Sequence, residues 1–355
     1  MGLPDGISSI IDCDIHVTPS SVQALLPYLS AHWREYIAHS DFKGPVDTSY
    51  PSGVPTTAQP GSVPASGGPA GSDLALLTEQ VLDPLSVELG IMSCDYAVDS
   101  IRNPDTAAAL SRAVNDWQVE EWLSKEQRLR ASVVIPSQIP NLAAEEIDRM
   151  GSHHGFVQVF LPARSEAPYG NRRYHPIFEA AVRHDLVVSI HFGGSPGNPP
   201  SGAGWPSYYL EEYAGMAQVF QSQVLSMIAE GVFDRFPTLK VTLVESGFTW
   251  MPALMWRLDK EWKGLRREVP WVRRPPSEYI REHMRLTTQP VDSPPDPIHL
   301  AQVIDQLGSD DLLMFSTDYP HNHSDQSETA WLEGLPVTLR RNIMSENARA
   351  FFGFS

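Results

Sequence analysis

The chain has 355 residues, 42% of them hydrophobic, and a net charge of −17. That is apolar material enough for a sizeable core, while the acidity excludes an electrostatic grip on nucleic acid or anionic lipid and reads as solubility. Two cysteines, Cys13 and Cys94, rule out both a disulfide framework and a cysteine-rich zinc site, so a reducing, cytoplasmic compartment is expected. Neither a secretory leader nor an apolar run long enough for a membrane span is expected.

In chain order, strand-like and helix-like segments alternate. An apolar run over residues 7–11 opens the series as a strand. Residues 91–97, 130–135, 156–161, 186–192, 239–245, 284–288 and 312–317 read as the next seven. Helical periodicity falls between them over residues 106–125, 142–150, 176–184, 211–230, 251–263 and 297–307. It returns at the end of the chain over 335–344 and 346–352. Eight strand-plus-helix units in one chain argue for a parallel sheet closed into a (β/α)8 TIM barrel. A single domain over residues 1–355 accommodates them. Residues 44–73 interrupt the alternation with Gly, Pro, Ser and Thr. Such a stretch buries little, so it is expected as a mobile lid or an inserted loop after the first strand, or as a disordered insertion.

The first strand runs into Asp12-Cys13-Asp14-Ile15-His16. Residues two apart on a strand face the same side, so Asp14 and His16 present a carboxylate and an imidazole together, as two ligands of a divalent metal would stand. Cys13 faces away and packs, and Asp12 caps or hydrogen-bonds a loop. Barrel active sites lie at the C-terminal strand ends. There the chain also offers His191, Glu245 and Asp318, the last followed by Tyr-Pro-His321. A lone strand-end histidine is more often structural, but four ionisable residues, Asp14, His16, His191 and Asp318, all at predicted C-terminal strand ends, argue for a site. Asp14, His16, His191 and Asp318 form a set of two imidazoles and two carboxylates that suits zinc and admits manganese or iron. Such a metal keeps a position open for water or substrate. Trp205, Tyr208 and Tyr209 in a Gly/Pro-rich loop, Trp250 and Arg164 are the candidate contacts to a small-molecule substrate. His321 is a further candidate beside Asp318. His323 is expected to be exposed, and His153-His154 lies at the opposite end of the barrel, where it carries no chemistry.

With these residues placed, the chain resembles the amidohydrolase superfamily. It looks most like the branch containing aminocarboxymuconate semialdehyde decarboxylase and the aromatic-acid decarboxylases. The resemblance is carried by Asp12-x-Asp14-x-His16, His191-Phe-Gly-Gly, Phe236-Pro-x-Leu-Lys-Val241, Phe315-Ser-Thr-Asp318-Tyr-Pro-His321 and the closing Glu346-Asn-Ala-Arg-x-Phe-Phe352. It implies a distorted (β/α)8 barrel with one divalent metal. Asp14 and His16 would be the first-strand pair, His191 the strand-five ligand, and Asp318 the acid near the metal that handles a proton. Homo-oligomers, a dimer among them, are also implied. No lysine on strand four is available to form a bridging carbamate, which favours one metal over two.

One departure stands out. Where the decarboxylases typically carry His-x-Gly-Glu after strand six, this chain has Glu245-Ser-Gly-Phe248. Glu245 can serve as a general acid or base, as an additional metal ligand, or as a structural acid. With the histidine gone, the expectation is a metal-dependent hydrolase. In it Asp318, helped by Glu245 or His321, activates water against a small organic acid, ester, amide or lactone. Non-oxidative decarboxylation of an aromatic or enoic acid is the alternative reaction, and a ligand-binding barrel without catalysis is a second alternative.

Overall fold

The computed structural model describes residues 7, 9–45, 57–194, 197–323 and 329–355. Eight strands follow one another: β1 Ile10–His16, β2 Val87–Ser93, β3 Leu129–Val134, β4 Phe156–Pro162, β5 Val187–His191, β6 Val241–Val244, β7 Met284–Thr287 and β8 Leu313–Met314. Each pairs in parallel with the next, so spatial order equals chain order, as in a (β/α)8 barrel. The strands are buried on both faces, which is why they read as apolar runs; all five residues of β5 are buried. Several helices that return the chain to the next strand start on proline. Pro104–Gln118, Pro140–Met150 and Pro297–Gln306 place it at the first position, where its missing N–H has no partner to lose. Asn103 caps the first of these by accepting from the N–H groups of Asp105 and Thr106, both at 3.0 Å. Two helices, Ala31–Ala38 and Pro276–His283, were not expected from periodicity.

The first strand lies further along than expected and ends on His16, so Asp14 and His16 sit within its last turn of pleat. The last strand is shorter than expected, two residues long. Beyond it the chain still closes the barrel against β1, but irregularly. The Cys13 N–H donates to the Phe315 carbonyl at 2.9 Å, the Asp318 N–H to Asp14 at 3.0 Å and the His16 N–H to Tyr319 at 2.7 Å. A side chain completes this seam. Asp12, wholly buried, accepts the Thr317 N–H at 3.0 Å and the Thr317 hydroxyl at 2.6 Å. β8 stops early because the next donors leave the ladder: the Phe315 N–H goes to Ile343 O at 2.9 Å, the Ser316 N–H to the Thr288 hydroxyl at 3.1 Å and the Thr317 N–H to Asp12. Asp12 thus has the loop-bonding role expected of it.

The insertion over residues 44–73 falls partly outside the described residues. Its described part, from residue 57 on, is fastened to the segment after β8. The Gln59 N–H donates to Pro320 O at 2.7 Å, the Asn322 N–H to Thr57 O at 2.6 Å, and the Gln59 amide to His321 O at 3.0 Å. Gly71, with φ of +80°, passes so close to β1 that a Cβ there would lie 2.7 Å from the His16 carbonyl. This portion is the inserted loop expected after the first strand, docked by these hydrogen bonds at the mouth of the barrel.

Candidate active site

Five acidic and imidazole side chains from four parts of the chain meet at the C-terminal mouth. β1 supplies Asp14 and His16, and β5 ends on His191. Glu245 follows β6 directly and Asp318 sits in the seam. Both acids have φ of 56°, a left-handed backbone uncommon outside glycine. Conformations of that kind cost about 1–3 kcal/mol each and persist where the surroundings over-determine them. Here the Glu245 N–H is held by the Thr287 hydroxyl at 3.1 Å, and the Asp318 N–H by Asp14.

The distances define two overlapping groups. His16 Nε2 lies 2.8 Å from Glu245 Oε1, 2.8 Å from Asp318 Oδ1 and 3.7 Å from Asp14 Oδ2. His191 Nε2 lies 3.5 Å from Asp14 Oδ1 and 3.3 Å from Glu245 Oε1. One group capable of holding a cation is therefore Asp14, His16, His191 and Glu245; the other is His16, Glu245, Asp318 and His321. The expected quartet differs from the first group by one member. Glu245 stands with His191, where Asp318 was expected.

The first group fits a divalent cation on its own chemistry. Both oxygens of Asp14 and Nε2 of His191 are buried without a hydrogen-bond partner among the described residues. A buried carboxylate left that way is costly unless a cation meets it. His191 Nδ1 donates to the Phe192 carbonyl at 2.8 Å, which fixes the tautomer and leaves the Nε2 lone pair aimed at the cluster. Between protein groups alone, burial would raise the Asp14 carboxyl, but the His16 and His191 charges hold it below the usual range. Burial would likewise lower the imidazoles. Asp14 and Asp318 raise His16 well above its ordinary value, and Asp14 and Glu245 raise His191 to about 9.

Asp318 is held from three sides. Its Oδ1 receives His16 and also His321 Nδ1 at 2.8 Å, and its Oδ2 makes a short contact with His323 Nε2. Burial opposes its ionisation, but the neighbouring imidazoles of His321 and His16 hold it well below the carboxylate range. The His323 side chain is only 16% exposed, which corrects the expectation of an exposed residue. The loop after β8 folds back, and Asp318 raises the His323 imidazole against its burial. Asp95 was also missed. β2 stops at Ser93, so this acid lies past a strand end rather than inside a strand; burial raises its carboxyl against the charges of His191 and His16.

The residues expected to touch substrate are placed variously. Trp205 and Tyr208 are 53% and 72% exposed, so neither forms a buried wall. Trp250 is half-buried and donates its indole N–H to Ser246 O at 2.8 Å. Arg164 is buried and pairs with Glu212 at 3.2 Å. His153 and His154 stack on each other before β4, away from the mouth.

The sequence profile of the family described as Amidohydrolase matches residues 11–354. The chain belongs to that family. Among its relatives is a gamma-resorcylate decarboxylase from Polaromonas sp., 28% identical over 292 residues, covering 77% of this chain and 85% of that one. Two solved structures share the fold. One is 5-carboxyvanillate decarboxylase from Sphingomonas paucimobilis, with a TM-score of 0.70, 23% identity and coverage of 98% and 99%. The other is a dihydroxybenzoic acid decarboxylase from Polaromonas sp. with bound manganese and the inhibitor 2-nitroresorcinol, with a TM-score of 0.67, 22% identity and coverage of 98% and 97%. Family membership makes the chain an enzyme of the amidohydrolase fold, and the clustered ligands support a divalent metal. The expectation of a hydrolase is overturned, because the relatives are named as decarboxylases. Glu245 had weighed against decarboxylation; exchanging one strand-six residue does not outweigh a match spanning most of both chains. Zinc gains no support, since the metal named with these relatives is manganese. No helix among the described residues is long and apolar enough to cross a membrane.

Proposed function

We propose that this chain is a metal-dependent, non-oxidative decarboxylase of a hydroxylated aromatic acid. The observation that carries the reading is the match to gamma-resorcylate decarboxylase over 85% of that protein's length. Asp14, His16, His191 and Glu245 would hold one divalent ion, with manganese favoured because it is the ion bound in the Polaromonas decarboxylase of the same fold. When bound, such an ion supplies a positive charge that grips the oxygens of an anionic substrate and steadies electron density pushed toward them.

The chain's own residues then divide the remaining work. The reaction needs one proton delivered to the ring carbon that bears the carboxylate. The C–C bond then breaks, its electron pair returns to the ring, and CO2 leaves. Asp318 is the group we assign to relay that proton from its imidazole partners to the ring carbon, since it is buried at the mouth, held ionised, and hydrogen-bonded to three of them. His323 Nε2 contacts Asp318, whose charge raises that imidazole against its burial, and His321 Nδ1 provides a second contact. Glu245 is thereby read as a ligand and Asp318 as the acid, with His321 in support. A small-molecule substrate, no nucleic acid, and a reducing cytoplasmic setting for the two buried free cysteines complete the reading.

The test is CO2 release by the manganese-loaded protein from a panel including 2,6-dihydroxybenzoate and 5-carboxyvanillate, with 2-nitroresorcinol as a competing binder. Release of CO2 in equal amount to the decarboxylated phenol, abolished by a chelator and restored by manganese, is expected. No CO2 from any hydroxybenzoate would sink the reading.

A further inference from the structure

The helix Tyr209–Ala229 follows β5 and brings a side chain to the acid cluster that sequence reading passed over. Tyr213 is half-buried, and its ring centroid lies 5.4 Å from Phe192, the residue after His191, and 5.6 Å from Tyr209. Its hydroxyl is 3.4 Å from His323 Nδ1, and the other nitrogen of that imidazole contacts Asp318. The preceding residue, Glu212, is locked to Arg164 at 3.2 Å, with both side chains buried, so this turn of the helix is anchored to the segment after β4. The aromatic side chains further up the loop, Trp205 and Tyr208, are exposed.

We propose that Tyr213 is a substrate-contacting residue: its ring and that of Phe192 form the wall for the substrate's aromatic ring, and its hydroxyl donates to a substrate oxygen beside Asp318. This rests on the decarboxylase reading. A hydroxylated benzoate presents a planar ring and a set of in-plane oxygens. The carboxylate–imidazole cluster deals with the oxygens only. A face for the ring must come from an aromatic or apolar surface next to it, and a tyrosine offers such a face with a polar handle at low entropic cost. Burial and the charges of Glu245 and Asp318 raise the phenol above its ordinary range, so it stays a donor. The wall is preformed, because Phe192, Tyr213 and Tyr209 already touch; a ring arriving there orders no new side chain.

The experiment measures binding of 2-nitroresorcinol to the manganese-loaded full chain by absorbance titration, alongside KM and kcat for the best hydroxybenzoate. Tyr213→Leu removes the ring and is expected to weaken binding by about tenfold, with KM rising in step. Tyr213→Phe keeps the ring and is expected to bind within about threefold of wild type but to lose more in kcat than in KM. Its close shape guards against misfolding, and an unchanged melting temperature verifies this. Trp205→Ala is expected to bind as wild type does. Both Tyr213 variants matching wild type in binding, KM and kcat would overturn the inference while leaving the decarboxylase reading intact. Wild type that neither binds the probe nor releases CO2 would overturn the reading and the inference with it.

Discussion

Asp12 grips Thr317 with both of its oxygens, taking the backbone N–H at 3.0 Å and the hydroxyl at 2.6 Å across the one place where the barrel has no regular ladder. The same carboxylate accepts the Asp14 N–H at 3.2 Å. A single buried acid therefore sets the backbone of Asp14 on one side and holds Thr317, the residue before Asp318, on the other. Burial pushes its carboxyl up to about 7, against the three donors that favour the charge. Thr317→Val removes the hydroxyl and leaves Asp12 short of a partner. A loss of about 1–3 kcal/mol in urea denaturation is expected, as for other buried groups stripped of one hydrogen bond. Asp12→Asn should cost a similar amount, and the double variant less than the sum. Strict additivity would show that the two residues do not act as a unit.

The roles proposed for Glu245 and Asp318 separate experimentally. Glu245→Gln is expected to weaken manganese binding by at least about tenfold in competition with a fluorescent chelator. Asp318→Asn is expected to keep its metal content and lose about 10²–10⁴ in kcat. Loss of metal from the Asp318 variant, with retention by the Glu245 variant, would reverse the assignment.

Chelation should lower stability as well as activity. Asp14 carries two buried oxygens without partners among the described residues, so a cation there is bound by the folded chain alone. At a free concentration one hundred times its dissociation constant, a bound ion contributes about 2.7 kcal/mol. Thermal melts with manganese and with excess chelator should differ accordingly. Identical melts would remove the cation from the account of stability.

His283 gives a pH signature far from the mouth. Its ring is buried against Phe233 and donates Nδ1–H to Leu239 O at 2.9 Å. Burial lowers its pKa below the ordinary 6.5. The unfolded chain therefore binds the proton more readily. The contribution is fully present above pH 6.5 and is lost as pH falls through that value toward the lower folded pKa. Urea midpoints for wild type and His283→Gln should converge on acidification. A constant difference from pH 7.5 to about pH 5 would show that His283 does not titrate differently in the two states.

The barrel was legible because its strands are apolar runs of the kind that parallel sheets require, and its helices alternate with them. Asp14 and His16 could be paired from a period of two, and His191 from the β-branched run before it. The rest depended on contacts that no local pattern encodes. The seam beyond β8 is held by Asp12, 305 positions away from Thr317. Nothing in Glu245-Ser-Gly signals that a non-glycine residue there adopts φ of 56° and turns toward His16 and His191. His323 read as an ordinary loop residue because only the folded-back loop brings it to Asp318. The glycine- and proline-rich stretch from residue 57 looked loose by composition, yet backbone hydrogen bonds to residues 320–322 tie it down.

The seam between β1 and the segment after β8 joins the two ends of the chain, and it also carries Asp14, His16 and Asp318. Contacts of such long sequence separation are the hardest for a folding chain to gather early. A polypeptide cut short before Thr317 therefore lacks Asp318 and the clasp together, however much of the barrel it has assembled. On the proposed reading such a copy is silent rather than partly active, because the acid and the closing clasp arrive in the same few residues.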